Sequence, residues 1–154
     1  MNEILYFKVE KLVARSCWLL DQKEYDAWTD LFADDGVYSI HAYSPEIQKN
    51  MVWMHHNKAE LMQILSELPK HITDSDAKRR HLISVIDIKF QDEGTADVIS
   101  NFAVCRTDIN GITNIYAVGQ YHDLCILQHN RWVMKERKVL LDTRQFEAAS
   151  QYPI

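Results

Sequence analysis

From residue 81 onward, apolar side chains recur at every second position, whereas in segments 4–20, 25–32 and 61–68 they recur at every third and fourth. This change of period constrains the fold more than any other feature of the chain. TADVISNFAVCRTD places Ala96, Val98, Ser100, Phe102 and Val104 on one side of an extended strand. HLISVIDIKF reads as the strand before it. Asn110-Gly111 is a strong hairpin signal into ITNIYAVGQYHDLCILQ. A second turn at His129-Asn130 leads to RWVMKERKVLLD. VYSIHAY, residues 37–43, is a further strand rich in β-branched and aromatic residues, and MVWMHH is a shorter extended piece.

The earlier part is helical. Leu5, Val9, Leu12, Val13 and Leu20 form one apolar stripe over residues 4–20. A short second helix sets Tyr25, Trp28, Leu31 and Phe32 on one face, with Asp26, Asp30 and Asp34 on a solvated one; Gly36 then ends the segment in a turn. Asn57 and Glu60 make a capping box opening a third helix. Its buried face is Leu61, Ile64, Leu65 and Leu68, and Pro69 closes it. KHITDSDAKRR reads as a polar loop ending in the basic run Lys78, Arg79 and Arg80. Helices grouped early and long antiparallel strands late predict the α+β class. The expected shape is a cone, its N-terminal helices packed on a strongly curved, mainly antiparallel sheet around an interior cavity. At 154 residues the chain makes a single domain, 1–154, with the last dozen residues a tail.

Composition narrows the function. A net charge of −5 argues against nucleic acid or an anionic membrane as partner. No apolar run approaches the roughly 20 residues a membrane helix needs. The first twenty residues carry charges throughout, unlike a signal peptide. With three cysteines, an odd number, the chain is expected in a reducing cytoplasm with buried free thiols at Cys17, Cys105 and Cys125. No cysteine has a histidine two or three residues after it, and the adjacent His55 and His56 point to opposite faces of a strand. No metal or cofactor site is expected in this chain.

LLDQKEYDAWTDLFADDGVYSI, NKAELMQIL, AKRRHLISVIDI, ISNFAVCRT and YAVGQYHDLCIL with RWVMKERKVLLD, taken in order, resemble the small (beta) subunits of aromatic ring-hydroxylating dioxygenases. The resemblance runs over residues 4–143. It departs at Asp76-Ala77-Lys78-Arg79, where the group often has Pro and Ser, and at Val85, where Asn is common. It implies the cone fold typified by nuclear transport factor 2 and scytalone dehydratase. It also implies a structural subunit with no catalytic residues of its own. The Rieske iron–sulfur cluster and mononuclear iron would belong to a partner large (alpha) subunit, in a hexamer of three large and three small chains. The small chains would contact one another as a trimer.

An alternative stays open. In dehydratases of similar fold, an Asp and a His at positions matching Asp21 and His81 meet inside the cone, the His as general base and the Asp orienting it. That would make this chain a stand-alone dehydratase or isomerase; a ligand-binding module is a third class. The structural reading takes Asp21 and His81 as a buried polar pair fixing a helix end to the sheet. Trp18, Trp28, Trp53 and Trp132 are read as core or subunit interface rather than as a pocket for an aromatic compound.

Overall fold

The computed structural model describes residues 2–68, 77–144 and 153–154. Helix α1 spans Glu3–Asp21 and α2 spans Tyr25–Thr29; strands β1 (Phe32–Ser44) and β2 (Lys49–Asn57) follow, then α3 (Lys58–Glu67). Four long strands complete the chain: β3 (Lys78–Asp92), β4 (Thr95–Thr107), β5 (Thr113–Gln128) and β6 (Arg131–Leu141). They form one sheet in the order β2-β1-β6-β5-β4-β3, antiparallel except where β1 runs parallel to β6. The fold is α+β with helices early and a meander late, as the change of period requires.

Local chemistry explains the boundaries. Asn2 caps α1 by accepting from the Ile4 N–H at 3.0 Å. The capping box of α3 is complete, with Asn57 accepting from the Glu60 N–H and Glu60 from the Asn57 N–H, both at 2.9 Å. His129 and Asn130 both hold positive φ, 50° and 62°, the geometry of a tight primed hairpin turn between β5 and β6. At Gly119 of β5 a Cβ would stand 2.2 Å from the Leu140 backbone oxygen, so only glycine lets β5 and β6 close there.

The sheet is bent as well as twisted. Register shifts interrupt β1 at Ile40/His41, β3 at Val85/Asp87 and Phe90/Asp92, and the β4–β5 and β5–β6 ladders at Val104/Cys105 and Leu124/Cys125. Each adds local curvature. The concave face carries the predicted row Ala96, Val98, Ser100, Phe102 and Val104, all buried. Against it pack Val9, Leu12, Val13, Leu19 and Leu20 of α1 and Leu61 and Leu65 of α3. Fully burying an aliphatic side chain of this size contributes about 1.5–3 kcal/mol.

Four expectations are corrected. The second helix ends at Thr29, and Phe32 already belongs to β1. Gly36 lies inside β1 rather than in a turn, where a Cβ would stand 2.8 Å from the Ala33 oxygen. The alternation that begins at residue 37 hid a strand that starts five residues earlier through an irregular stretch beside β6. Lys78, Arg79 and Arg80 are not loop residues but the first three of β3, paired with Thr107, Arg106 and Cys105. Of the expected tail, Pro153 and Ile154 are buried. The expected stop at Pro69, the loop at 70–76 and the rest of the tail at 145–152 lie outside the described residues.

Candidate functional site

Asp21 is the last residue of α1, and His81 is the fourth of β3. Chain reversal after the helix brings them together. Gln22 caps α1, and Lys23 takes the left-handed φ of 58° that turns the chain away. The parity of β3 points His81 inward with Arg79, Ile83 and Val85. The His81 Nδ1 and Asp21 Oδ1 atoms are 2.6 Å apart. The carboxylate also accepts the His81 backbone N–H, at 3.0 Å to Oδ2 and 3.2 Å to Oδ1. The side chains are 2% and 8% exposed for His81 and Asp21. The sequence-predicted pair therefore meets, and it staples the end of α1 to the sheet.

A hydrogen-bonded Asp–His pair is also the arrangement that could orient a general base. What it could act on is limited by space. The cavity it shares with Leu20, Tyr25, Arg79 and Pro153 has a volume of about 20 Å³, room for roughly one water. His81 Nε2, the atom that would face a substrate, is buried with no hydrogen-bond partner among the described residues. Two larger hollows lie elsewhere. One of about 640 Å³ runs along Leu5, Phe90 and Leu127, and one of about 550 Å³ lies beside Trp53 and Arg144. Neither is lined by Asp21 or His81.

A second buried polar cluster was not singled out from sequence. Arg137 and Asp123 are direct cross-strand neighbours on β6 and β5. Arg137 donates from Nε and Nη2 to the two Asp123 oxygens, each at 2.8 Å, and from Nη1 to Ser16 Oγ of α1 at 2.8 Å. Ser16 passes the chain on by donating to the Val13 carbonyl at 2.6 Å. The guanidinium lies 4.1 Å from the Tyr121 ring centroid, a cation–π contact, and that ring stacks on Phe102. Burial works against the charge on Arg137, but the Asp123 carboxylate more than reverses this and holds its pKa above the ordinary value. Strand parity was the available signal: Asp123 alternates with Tyr121 and Cys125, and Arg137 with Val139 and Leu141, all buried.

The other candidates fall into place. Asp26, Asp30 and Asp34 are exposed. Trp28 sits in the core, edge-on to Phe32 and Tyr38 at 5.0 and 5.3 Å, and Trp132 is buried against Phe90. Trp18 and Trp53 are exposed. Arg79 lies over the Tyr116 ring, 4.4 Å from its centroid. Cys17 and Cys125 are buried free thiols and Cys105 is half-buried. Desolvation pushes the Cys17 thiol up to about 11 and the Cys125 thiol higher still, the opposite of what an iron or zinc thiolate requires. Among the described residues no three His, Cys, Asp or Glu side chains converge as metal ligands would. These residues do not fit an iron–sulfur cluster. Nor is any helix among them long and apolar enough to cross a membrane.

The sequence that builds this architecture matches the SnoaL-like domain over residues 6–138. The chain belongs to the SnoaL-like domain family. Within it, this SnoaL-like chain groups with oxygenase beta subunits, as its sequence resemblance implied. It is 31% identical to the methanesulfonate monooxygenase hydroxylase subunit beta of Methylosulfonomonas methylovora, over 95% of this chain and 85% of that one. It is 29% identical to the 2-aminobenzenesulfonate 2,3-dioxygenase subunit beta of an Alcaligenes species, over 88% and 90%. A Novosphingobium aromaticivorans beta subunit, assigned to an aromatic-ring-hydroxylating dioxygenase, shares the fold with a TM-score of 0.81. It is 23% identical, with 93% of this chain and 92% of that one covered.

Proposed function

We propose that this chain is the non-catalytic small subunit of a cytoplasmic ring-hydroxylating dioxygenase. Its partner is a large subunit carrying the Rieske cluster and mononuclear iron. The observation that carries the reading is the convex face of the sheet. The register aligns Leu82, Ala103 and Val118 in one row across β3, β4 and β5, and Arg80, Cys105 and Ile115 in the next. Leu82 and Ile115 are 61% and 66% exposed, and the hairpin beyond them holds out Ile109 and Ile112. Exposed apolar side chains contiguous on this scale mark an interface rather than a free surface. The hairpin is pre-shaped for contact, since Asp108 Oδ1 accepts from the N–H groups of Asn110 and Ile112.

In this reading the small subunits contact one another as a trimer and hold three large subunits in a hexamer. The interface buries more than ~2,000 Å² and is relatively apolar, as obligate contacts are. Asp21 and His81 brace the scaffold; the narrowness of their cavity supports this over a stand-alone dehydratase. The substrate is chosen by the large subunit.

Co-expression with a Rieske-type large subunit from the same genome, followed by size exclusion with mass determination, tests the assignment. The expected result is a complex of three large and three small chains, which Leu82→Lys with Ile115→Lys disrupts while each small chain stays folded. A strict monomer at micromolar concentration, unmoved by the large subunit, would sink it. His81→Ala separates the dehydratase reading. A structural residue costs stability or assembly, whereas a general base costs turnover with the fold intact.

A further inference from the structure

Helix α1 buries one face in the core, through Val9, Leu12, Val13, Cys17 and Leu20. A helix face left to water is ordinarily polar. On the face of α1 opposite the core, however, Ile4, Phe7 and Trp18 stand out 63%, 59% and 54% exposed. With the exposed Lys11 and Ala14 they complete the series 4, 7, 11, 14, 18. That alternation of three and four residues is the a/d spacing of a coiled-coil seam, running for roughly 21 Å at 1.5 Å per residue. Lys11 is its one polar member, and its ammonium lies 5.6 Å from the Phe7 ring centroid, a cation–π contact.

The flanks of this seam carry charges in a fixed arrangement. With Ile4 at position a, Glu3 and Glu10 fall at g positions and Lys8 and Arg15 at e positions, all four exposed. The ion pairs among the described residues use none of them. Where two such helices run parallel, each g residue faces the e residue five positions further along the other helix. Glu3 then meets Lys8 of a second copy, and Glu10 meets its Arg15. Run antiparallel, the same seam sets g against g and e against e, carboxylate on carboxylate and cation on cation. The face is complementary to itself in the parallel orientation alone.

We propose that the outer face of α1 docks on the same face of a second copy of this chain, the two helices parallel. Copies related by a rotation axis lying along their helices are parallel by symmetry, and such a contact closes into a ring. For the number three the inference rests on the trimer of the proposed function; the pairing of α1 with α1 does not. Lys11 inside the seam costs stability and fixes the register, the use coiled coils make of a single polar a position. The arrangement also divides the surfaces of the molecule. Helix α1 covers the concave side of the sheet, so its outer face points away from the convex face, which is left to the large subunit.

Sedimentation equilibrium of the full chain, alone and with the large subunit, gives the first test. Trp18→Ala is expected to weaken association between small chains about thirtyfold, the effect of truncating a central interface aromatic, with the urea midpoint of the single chain unchanged. Small chains that associate as tightly without Trp18 would overturn the proposal and leave the assembly reading standing. Exchanging charges tests the orientation. Glu10→Lys alone and Arg15→Glu alone each set like charges together and weaken association, whereas the two in one chain restore it. A double variant weaker than either single one would refute the parallel pairing. The third test is geometric. Ala14 of one copy faces Ala14 of the next across a parallel seam. Ala14→Cys is therefore expected to form a disulfide between small chains on mild oxidation of the assembled complex, above the background of the unmodified chain. A complex that assembles without that crosslink rules the seam out. A chain that stays monomeric alone and beside the large subunit sinks the assembly reading and this inference together.

Discussion

Two carboxylates, Asp123 and Asp21, are held inside the cone by nitrogen partners, but they are held differently. Asp123 meets Arg137 through both oxygens, both side chains are fully buried, and all three guanidinium nitrogens donate within the protein. Asp21 meets one imidazole nitrogen and one backbone N–H, and the other imidazole nitrogen is left unpartnered. The first cluster joins β5, β6 and α1 and leaves no room for anything else. The second joins α1 to β3 and keeps unused capacity at the narrow cavity. Both are braces, one with every polar group spent and one with a nitrogen left over.

Breaking the closed pair gives the largest effect. Arg137→Met leaves the Asp123 carboxylate buried and unpaired, and is expected to cost about 3–5 kcal/mol by urea unfolding. Adding Asp123→Leu removes the stranded charge and recovers most of that loss. A single variant that loses less than about 1 kcal/mol would show that the cluster is not the closed brace described.

The half-spent pair responds less. Asp21→Ala strands the His81 backbone N–H and Nδ1 together, for a cost of about 2 kcal/mol in the same assay. Asp21→Asn keeps an acceptor for the backbone N–H and costs about half as much. Equal losses for the two would mean that the bond to the imidazole, not the staple of α1 to β3, carries the stability. Smaller again is Ser16→Ala. It removes the link from Arg137 Nη1 to α1 while leaving both bonds to Asp123, and is expected to cost about 1 kcal/mol. No loss would place α1 outside the brace.

The two clusters also differ in how far sequence reveals them. Periodicity placed Asp21 at a helix end and His81 at a strand start, but that the two would meet was implied by the resemblance to dehydratases of similar fold. The capping box at Asn57 and the turns at Asn110-Gly111 and His129-Asn130 were legible because their signals lie within four residues. Arg137 and Asp123 sit fourteen residues apart in runs that include other charges, KERK and YHD. Parity with Tyr121 and Cys125, and with Val139 and Leu141, points each of them inward, but only the register of β5 against β6 shows that they face one another. The early start of β1 escaped for a related reason. Its first residues hold their place through the parallel neighbour β6, about a hundred residues away, and not through a local pattern. Burial of Ile154 depends on Tyr38, 116 residues distant, and no periodicity announces it.

A third carboxylate, on the surface, sharpens the contrast at the small end. Glu46 accepts from Arg144 Nη1 at 2.7 and 3.0 Å and from Ser44 Oγ at 2.8 Å. The Arg144 hydrogen bond, then the Glu46 backbone and then Ser44 lower its pKa from 4.5 to about 2. A carboxyl whose folded pKa lies below its unfolded one adds stability that is complete above the unfolded value. That stability is lost as pH falls from about 4.5 through about 2. Because the pair is exposed, water and salt screen it, and Glu46→Gln is expected to leave the urea midpoint at neutral pH unmoved within error. The titration itself is the sensitive readout. Followed by carboxyl-carbon NMR at low salt, Glu46 should titrate near 2 and move upward in Arg144→Gln. It should also move upward in salt of about 1 M, where the screening length falls to ~3 Å. A midpoint indifferent to both changes would mean that the hydrogen bonds of the Ser44–Glu46 turn hold the carboxylate without Arg144. The two ends of the ion pair would then be independent, unlike the coupled pair at Asp123.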